Sequence, residues 1–250
     1  MRGCWTGILL GLLGLPLVQA QEPPPNEARV ASEVWRHYTE RDGSGLGWDV
    51  LRAVYSPVGV RLQIQSVPYT RSIGLVQRGE ADAWVGSYSG EVRQGVVYPL
   101  WHFDADQICA LGLTEQPAVS LDNLRRFHLA WMRGYRFERY LPNLTHFQEI
   151  QRRDGILPML TLRHADLFID ARPEIEDVLA EAGDRSAFRV TCLTSLPLYL
   201  GFADTPRGRG LASLFDRRMA ELVKSGELRP LFERWHYPYP FQEGSHATTP

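Results

Sequence analysis

Lysine is almost absent from this chain: of its 27 basic residues only Lys224 is a lysine, and the others are arginine. That scarcity counts against lysine-centred catalysis. Cysteine is nearly as rare, with Cys4, Cys109 and Cys192 alone. The seven histidines form no HExxH pattern and no close His/Cys cluster, so no metal and no cofactor is expected. No long basic run exists and the formal net charge is -2, which argues against nucleic acid and anionic membrane as partners. A serine nucleophile elbow needs G-x-S-x-G; the tempting "GSYSG" over 86–90 has Tyr88 in the middle. "DGSGLG" over 42–47 lacks the G-x-G-x-x-G spacing of a dinucleotide loop. There is no tandem repeat, no low-complexity tract and no pair of carboxylates marked out as an acid/base couple.

The one long apolar stretch is at the start. Arg2 precedes "GILLGLLGLPLV", followed by "VQA". A positive start, a short apolar run and small or apolar residues at the junction predict a secretory signal over 1–20, cleaved after Ala20. Gly and Pro break the run too early for a good spanning helix. Cys4 lies before the apolar run, out of place for a lipid-bearing cysteine. Loss of 1–20 removes Arg2 and no acid, moving the charge from -2 to -3. Only Cys109 and Cys192 then remain, and in an oxidising compartment they read either as one disulfide or as two buried thiols.

With 44% hydrophobic residues the chain can bury a core in one or two compact units. "VRLQIQS" (60–66) alternates as a strand, flanked by helical "LGWDVLRAVYSPVG" and "YTRSIGLVQRGE"; "ADAWVGS" is the next strand. The β-α-β-α-β order recurs in "FHLAWMRG", "RFERYLPN", "THFQEI", "DGILPMLTLRH", "ADLFID" and "PEIEDVLAEAG". "FRVTCL" and "LPLYLGFA" read as two further strands, "GLASLFDRRMAELVKSG" as an amphipathic helix, and "ELRPLFERWHY" as a last helix or turn. Two such sets predict two α/β lobes, with flexible ends over 21–27 and 243–250.

One loop is chemically suggestive. "GEADAWVGSYSGEVRQGVVYP" (79–99) passes from a buried strand into a loop with Ser89, Gly90, Glu91 and Arg93. Ligands gather beyond the carboxyl ends of strands in open α/β sheets, and an arginine there suits a carboxylate. A surface pair between Arg93 and Glu91 is the equal alternative on these residues alone. Tyr38, Tyr69, Trp84, Tyr88 and Tyr135 fall near strand-to-helix junctions; Tyr38 and Tyr88 read as ligand-facing, Trp84 as packing.

From about Val30 to Phe241 the order of segments resembles the extracytoplasmic solute-binding proteins of the polar amino acid uptake family. The landmarks are "LGWDVLRAVYSPVGVRLQI", "YTRSIGLVQRGEADAWVG", "SGEVRQGVVYPLW", "SLDNLRRFHLAWMRGYRFERYL", "DGILPMLTLRHADLFID" and "ELVKSGELRPLFERWHY". Each is weak alone; six in order are specific for the fold. The resemblance implies a two-lobed periplasmic binding protein-like α/β fold hinged on two crossover strands, the first lobe over 28–111 and 196–242, the second over 112–195. It implies a monomeric periplasmic receptor for an amino-acid-like or other small carboxylate-bearing ligand, delivered to an ABC permease, and not an enzyme. Arg93 takes the place of the arginine that grips the carboxylate. Gly90 stands where the family has threonine, Tyr135 after Gly134 where it has Ser or Thr, and Asp170, four residues after Asp166, stands for the aspartate that meets the amine. Cys109 and Cys192 fall near the two crossovers. Two other readings share the fold: a dehydratase for cyclic acids, with Glu91 as candidate acid, and a sensor or accessory protein without a transporter.

Overall fold

The computed structural model describes residues 25–241. The expected signal segment, its cleavage point and Cys4 lie outside them. The first parallel set is β1 (Glu27–Ser32), α1 (Leu46–Tyr55), β2 (Arg61–Ser66), α2 (Tyr69–Gln77) and β3 (Ala83–Tyr88), with β1 between β2 and β3. Then come β4 (Val96–Val97) and β5 (Asp104–Leu113). The second parallel set is β6 (Leu129–Met132), β7 (Phe147–Ile150), α3 (Ile156–Thr161), β8 (Leu167–Ala171) and α4 (Arg172–Ala180), with β6 between β7 and β8. The chain closes with β9 (Phe188–Ala203), α5 (Pro206–Ser225) and α6 (Arg229–Trp235).

The strand order is β2-β1-β3-β9-β5-β8-β6-β7, with β4 against β9. The two parallel sets occupy the two ends, and the antiparallel pair β5/β9 joins them. These are the two crossover strands of a two-lobed α/β fold. Cys109 and Cys192 face each other across that pair and are bonded to one another.

Local chemistry explains most of the elements. In α1 the residues Leu46, Val50, Leu51, Val54 and Tyr55 are buried at helical spacing. In α5 the Thr205 hydroxyl accepts from the Gly208 N–H at 3.0 Å, Pro206 occupies the first turn, and Gly226 ends the helix at φ 76°. Asp82, before β3, accepts from Arg29 and Arg207, each at 2.9 Å, and ties β3 to β1 and α5.

The sequence suggests two strands over 188–203, whereas β9 is continuous through Pro197. Pro197 stands opposite Ala105 on β5, one residue before β9 picks up β3 at Leu198. Its missing N–H therefore falls where the strand changes partners. β1 begins at Glu27, inside the segment expected to be flexible, and β5 carries no clean alternation because from Ile108 to Leu113 both its faces are buried.

Candidate functional site

Between the two parallel sets lies a small chamber of about 50 Å³. Its walls are mainly aromatic: Trp35 and Tyr38 from the stretch after β1, Tyr69 from α2, Tyr88 from β3, Tyr135 from the turn after β6, and Tyr237 from the segment after α6. Tyr69 meets Tyr135 edge-on at 5.5 Å, and the Trp35 indole N–H donates to the Tyr135 hydroxyl at 3.1 Å. Both contacts run from one parallel set to the other. Gly86 makes room for them. Its φ is +92°, it sits at the bulge in β3, and an added Cβ would lie 2.5 Å from the Trp35 ring.

Acids complete the chamber. Asp106 from β5, Asp170 at the end of β8 and Glu174 in the first turn of α4 line it. Asp104 backs it, accepting from Tyr38 at 2.7 Å, and Asp106 accepts from Tyr88 at 2.8 Å. Burial pushes the Asp104 carboxyl up to about 8 and Asp106 up to about 7, against those hydrogen bonds. Burial also raises Asp170 and Glu174, and for Glu174 the Asp170 charge adds to it.

One cation stands against them. Arg153, in the bend after β7, donates through Nε to Asp170 at 3.0 Å and through a terminal N–H to the Tyr135 hydroxyl at 2.9 Å. Its other terminal nitrogen is 3.9 Å from Glu33, in the opposite set. Burial opposes its charge, but Asp170, Tyr135 and Glu174 together outweigh that and hold it fully protonated.

A second, open groove of about 940 Å³ lies beside the chamber. It is lined by Ser89, Gly90 and Arg93 from the loop after β3 and by Gly134, Arg136 and Arg139 from beyond β6. A wall separates the two spaces. In it Tyr69 and Ser87 donate to the Glu91 carboxylate at 2.6 and 2.9 Å, and Tyr88 packs edge-on against Tyr140 at 4.9 Å. Glu91 is buried, which raises its carboxyl in spite of those two donors.

The eight expected ligand residues thus divide into two groups. Tyr38, Tyr88, Tyr135 and Asp170 line the chamber; Ser89, Gly90, Arg93 and Gly134 line the groove. Arg93 is exposed and forms no pair with Glu91, whose carboxyl faces inward. Trp84 is fully buried in the cluster under α2. Trp35, Asp106, Arg153, Glu174 and Tyr237 were not legible as site residues. The only trace is the pair of acids in "FDADQ", which interrupts an otherwise apolar stretch. Among the described residues no group of three His, Cys, Asp or Glu side chains is placed to hold a metal ion.

No protein-family model and no curated protein matches the sequence. Solved structures do match by shape. The substrate-binding protein of an amino acid ABC transporter aligns with a TM-score of 0.65 at 16% identity, covering 84% of this chain and 98% of its own. The chain has the fold of the amino acid solute-binding proteins. The same fold is seen in a Streptococcus pneumoniae amino acid ABC transporter substrate-binding protein bound to L-arginine (TM-score 0.64, 15% identity, 84% and 94% covered). It is also seen in a histidine kinase sensor domain with similarity to periplasmic binding proteins (TM-score 0.67, 16% identity, 84% and 95% covered). In this binding-protein fold the chamber lies between the lobes, walled by β3, β5 and β8. Among the described residues no helix is long and apolar enough to cross a membrane.

Proposed function

We propose that the protein is an extracytoplasmic receptor for a small amine-bearing, amino-acid-like solute, held in the chamber and handed to an ABC permease. The observation that carries this reading is the charge balance. Glu33, Asp106, Asp170 and Glu174 surround a space walled by six aromatic rings, and among the described residues Arg153 is the cation that pairs with them. A ligand cation draws these buried acids into their ionised form, pairs with them and stacks on the rings. A carboxylate on the same ligand has two arginines to reach: Arg153, already held by Asp170, or Arg93, across the tyrosine wall. The chamber sets a size limit. About 50 Å³ is open to the centres of water-sized groups, which suits a small solute. A larger ligand needs the lobes further apart. The lobes themselves are assigned to 28–111 with 196–242 and to 112–195, in a monomer exported after cleavage behind Ala20.

A thermal-shift screen of amines, amino acids and small carboxylates tests the reading. A ligand at about a hundred times its dissociation constant adds roughly 2.7 kcal/mol. Amines are expected to respond. A screen in which no amine or amino acid responds refutes the proposal.

A sensor reading is favoured by one observation, the histidine kinase sensor domain among the similar structures. Such a protein uses the same chamber without a permease. Permease and ATPase genes beside this one favour transport; a kinase or regulator gene favours sensing. Glu91, the candidate acid of the dehydratase reading, faces Tyr69 and Ser87 inside the wall, which gives that reading no support.

A further inference from the structure

The open groove has the opposite charge to the chamber. Arg93 reaches it from one lobe, and Arg136 and Arg139 reach it from the other. Among the described residues neither Arg93 nor Arg136 forms an ion pair, whereas Arg29, Arg153 and Arg207 each do. Arg139 uses one N–H on the Glu91 carbonyl at 3.0 Å, which fixes it across the two lobes. Among the described residues none of the three is ion-paired with an acid, although Arg136 is near enough to Glu91 to pull its carboxyl down and Glu138 lies beside Arg136 and Arg139 in the chain. Glu91 turns its carboxylate inward, and Glu149 sits at the rim, accepting from the Gly134 N–H at 3.1 Å. The Tyr140 hydroxyl is buried at the groove wall and has no partner. Arg136 is held at φ 53°, a left-handed conformation that costs energy for a residue with a side chain.

We propose that this groove binds a small multivalent oxyanion, a polycarboxylate or a phosphate, at a site separate from the chamber. Three guanidinium groups lining one groove from two lobes exceed what one monovalent carboxylate engages, because a single fork already takes a carboxylate or phosphate edge through two parallel N–H donors. The Ser89 side chain, which also lines the groove, adds a neutral hydroxyl donor. The groove has room for such an anion, at about 940 Å³. This extends the anion role expected of Arg93 to a constellation spanning both lobes, and it holds whatever the chamber takes.

Calorimetric titration of the full chain with citrate, inorganic phosphate and acetate, at fixed ionic strength, tests it. Saturable binding of citrate or phosphate is expected, with acetate at least about tenfold weaker. The stronger of the two identifies the carboxylate or phosphate source. The double variant Arg93→Gln/Arg136→Gln should weaken that binding at least about tenfold. Arg217→Gln on α5, exposed and remote, makes a charge change of the same kind and should leave it unaltered. Both groove positions are exposed, so circular dichroism of the double variant should match that of the parent. The proposal is overturned by absence of saturable binding, by an unaffected double variant, or by equal weakening in Arg217→Gln. A tetramethylammonium titration of the same proteins reads the chamber independently, so failure of one site is not mistaken for failure of the other.

Discussion

At the scale of single residues, titration is the most informative property of the chamber. Asp104 and Asp106, raised to about 8 and about 7, hold protons in the folded state that the unfolded chain releases above pH 4. Between pH 4 and 8 the folded state binds more protons, so stability without ligand should fall as pH rises across that window. Asp170, Glu174 and Glu33 are raised too and push the same way, while Arg153 stays charged and moderates the trend. Binding of a permanently charged cation should show the reverse and strengthen from pH 6 to 8.5 as the acids ionise. Urea unfolding and tetramethylammonium titration against pH check both, and Asp106→Asn should flatten each curve. Asp170→Asn should cost about 2–3 kcal/mol in cation affinity, because a buried charge partner is lost. Asp82 behaves oppositely: burial would raise it, but Arg29 and Arg207 hold it below the usual carboxylate range. Its contribution is present above the unfolded value and lost as pH falls through the folded one, and Asp82→Asn should destabilise by about 2 kcal/mol in urea.

At the scale of elements, the β5/β9 pair is the part on which both lobes depend. The Cys109–Cys192 bond closes a sequence separation of 83 residues at the point where the register of the pair shifts. Replacing both cysteines by alanine should lower stability by about 4 kcal/mol if chain entropy dominates. Urea unfolding of the variant, and of the parent with and without reductant, checks it. Further along β9, Gly201 lies opposite Trp84, and an added Cβ would come 2.0 Å from the indole ring. Trp84 is fully buried and cannot retreat without displacing β3. Gly201→Ala should therefore cost about 3 kcal/mol by overpacking, and a thermal melt no lower than that of the parent contradicts the assignment.

At the scale of the whole molecule, two lobes joined by two long strands form a hinge. Trp35 to Tyr135, Arg153 to Glu33 and Arg139 to the Glu91 carbonyl hold the lobes together across the cleft. A ligand favours closure only through contacts made in the closed form. Small-angle scattering should show a smaller radius of gyration with a chamber cation than without it. Tyr135→Phe removes the hydroxyl that joins Trp35 to Arg153 and should shift the ligand-free ensemble toward the open form. An unchanged scattering profile on both tests removes the hinge from the account.

The sequence by itself determined the α/β class, the two parallel sets and most element positions, because alternation in "VRLQIQS" and helical spacing in α1 and α5 are local patterns that burial must satisfy. The order of six short segments was enough to indicate the two-lobed fold, and four of the expected ligand residues lie at the chamber. What only the tertiary structure decided is the division of the cleft. The loop after β3 carries Arg93 into the groove and not into the chamber, and no local pattern reports that. Asp106, Arg153 and Glu174 come from three elements far apart in sequence and acquire meaning only by converging. Their chemistry arises from shared burial, and burial is a property of the folded chain rather than of any segment of it.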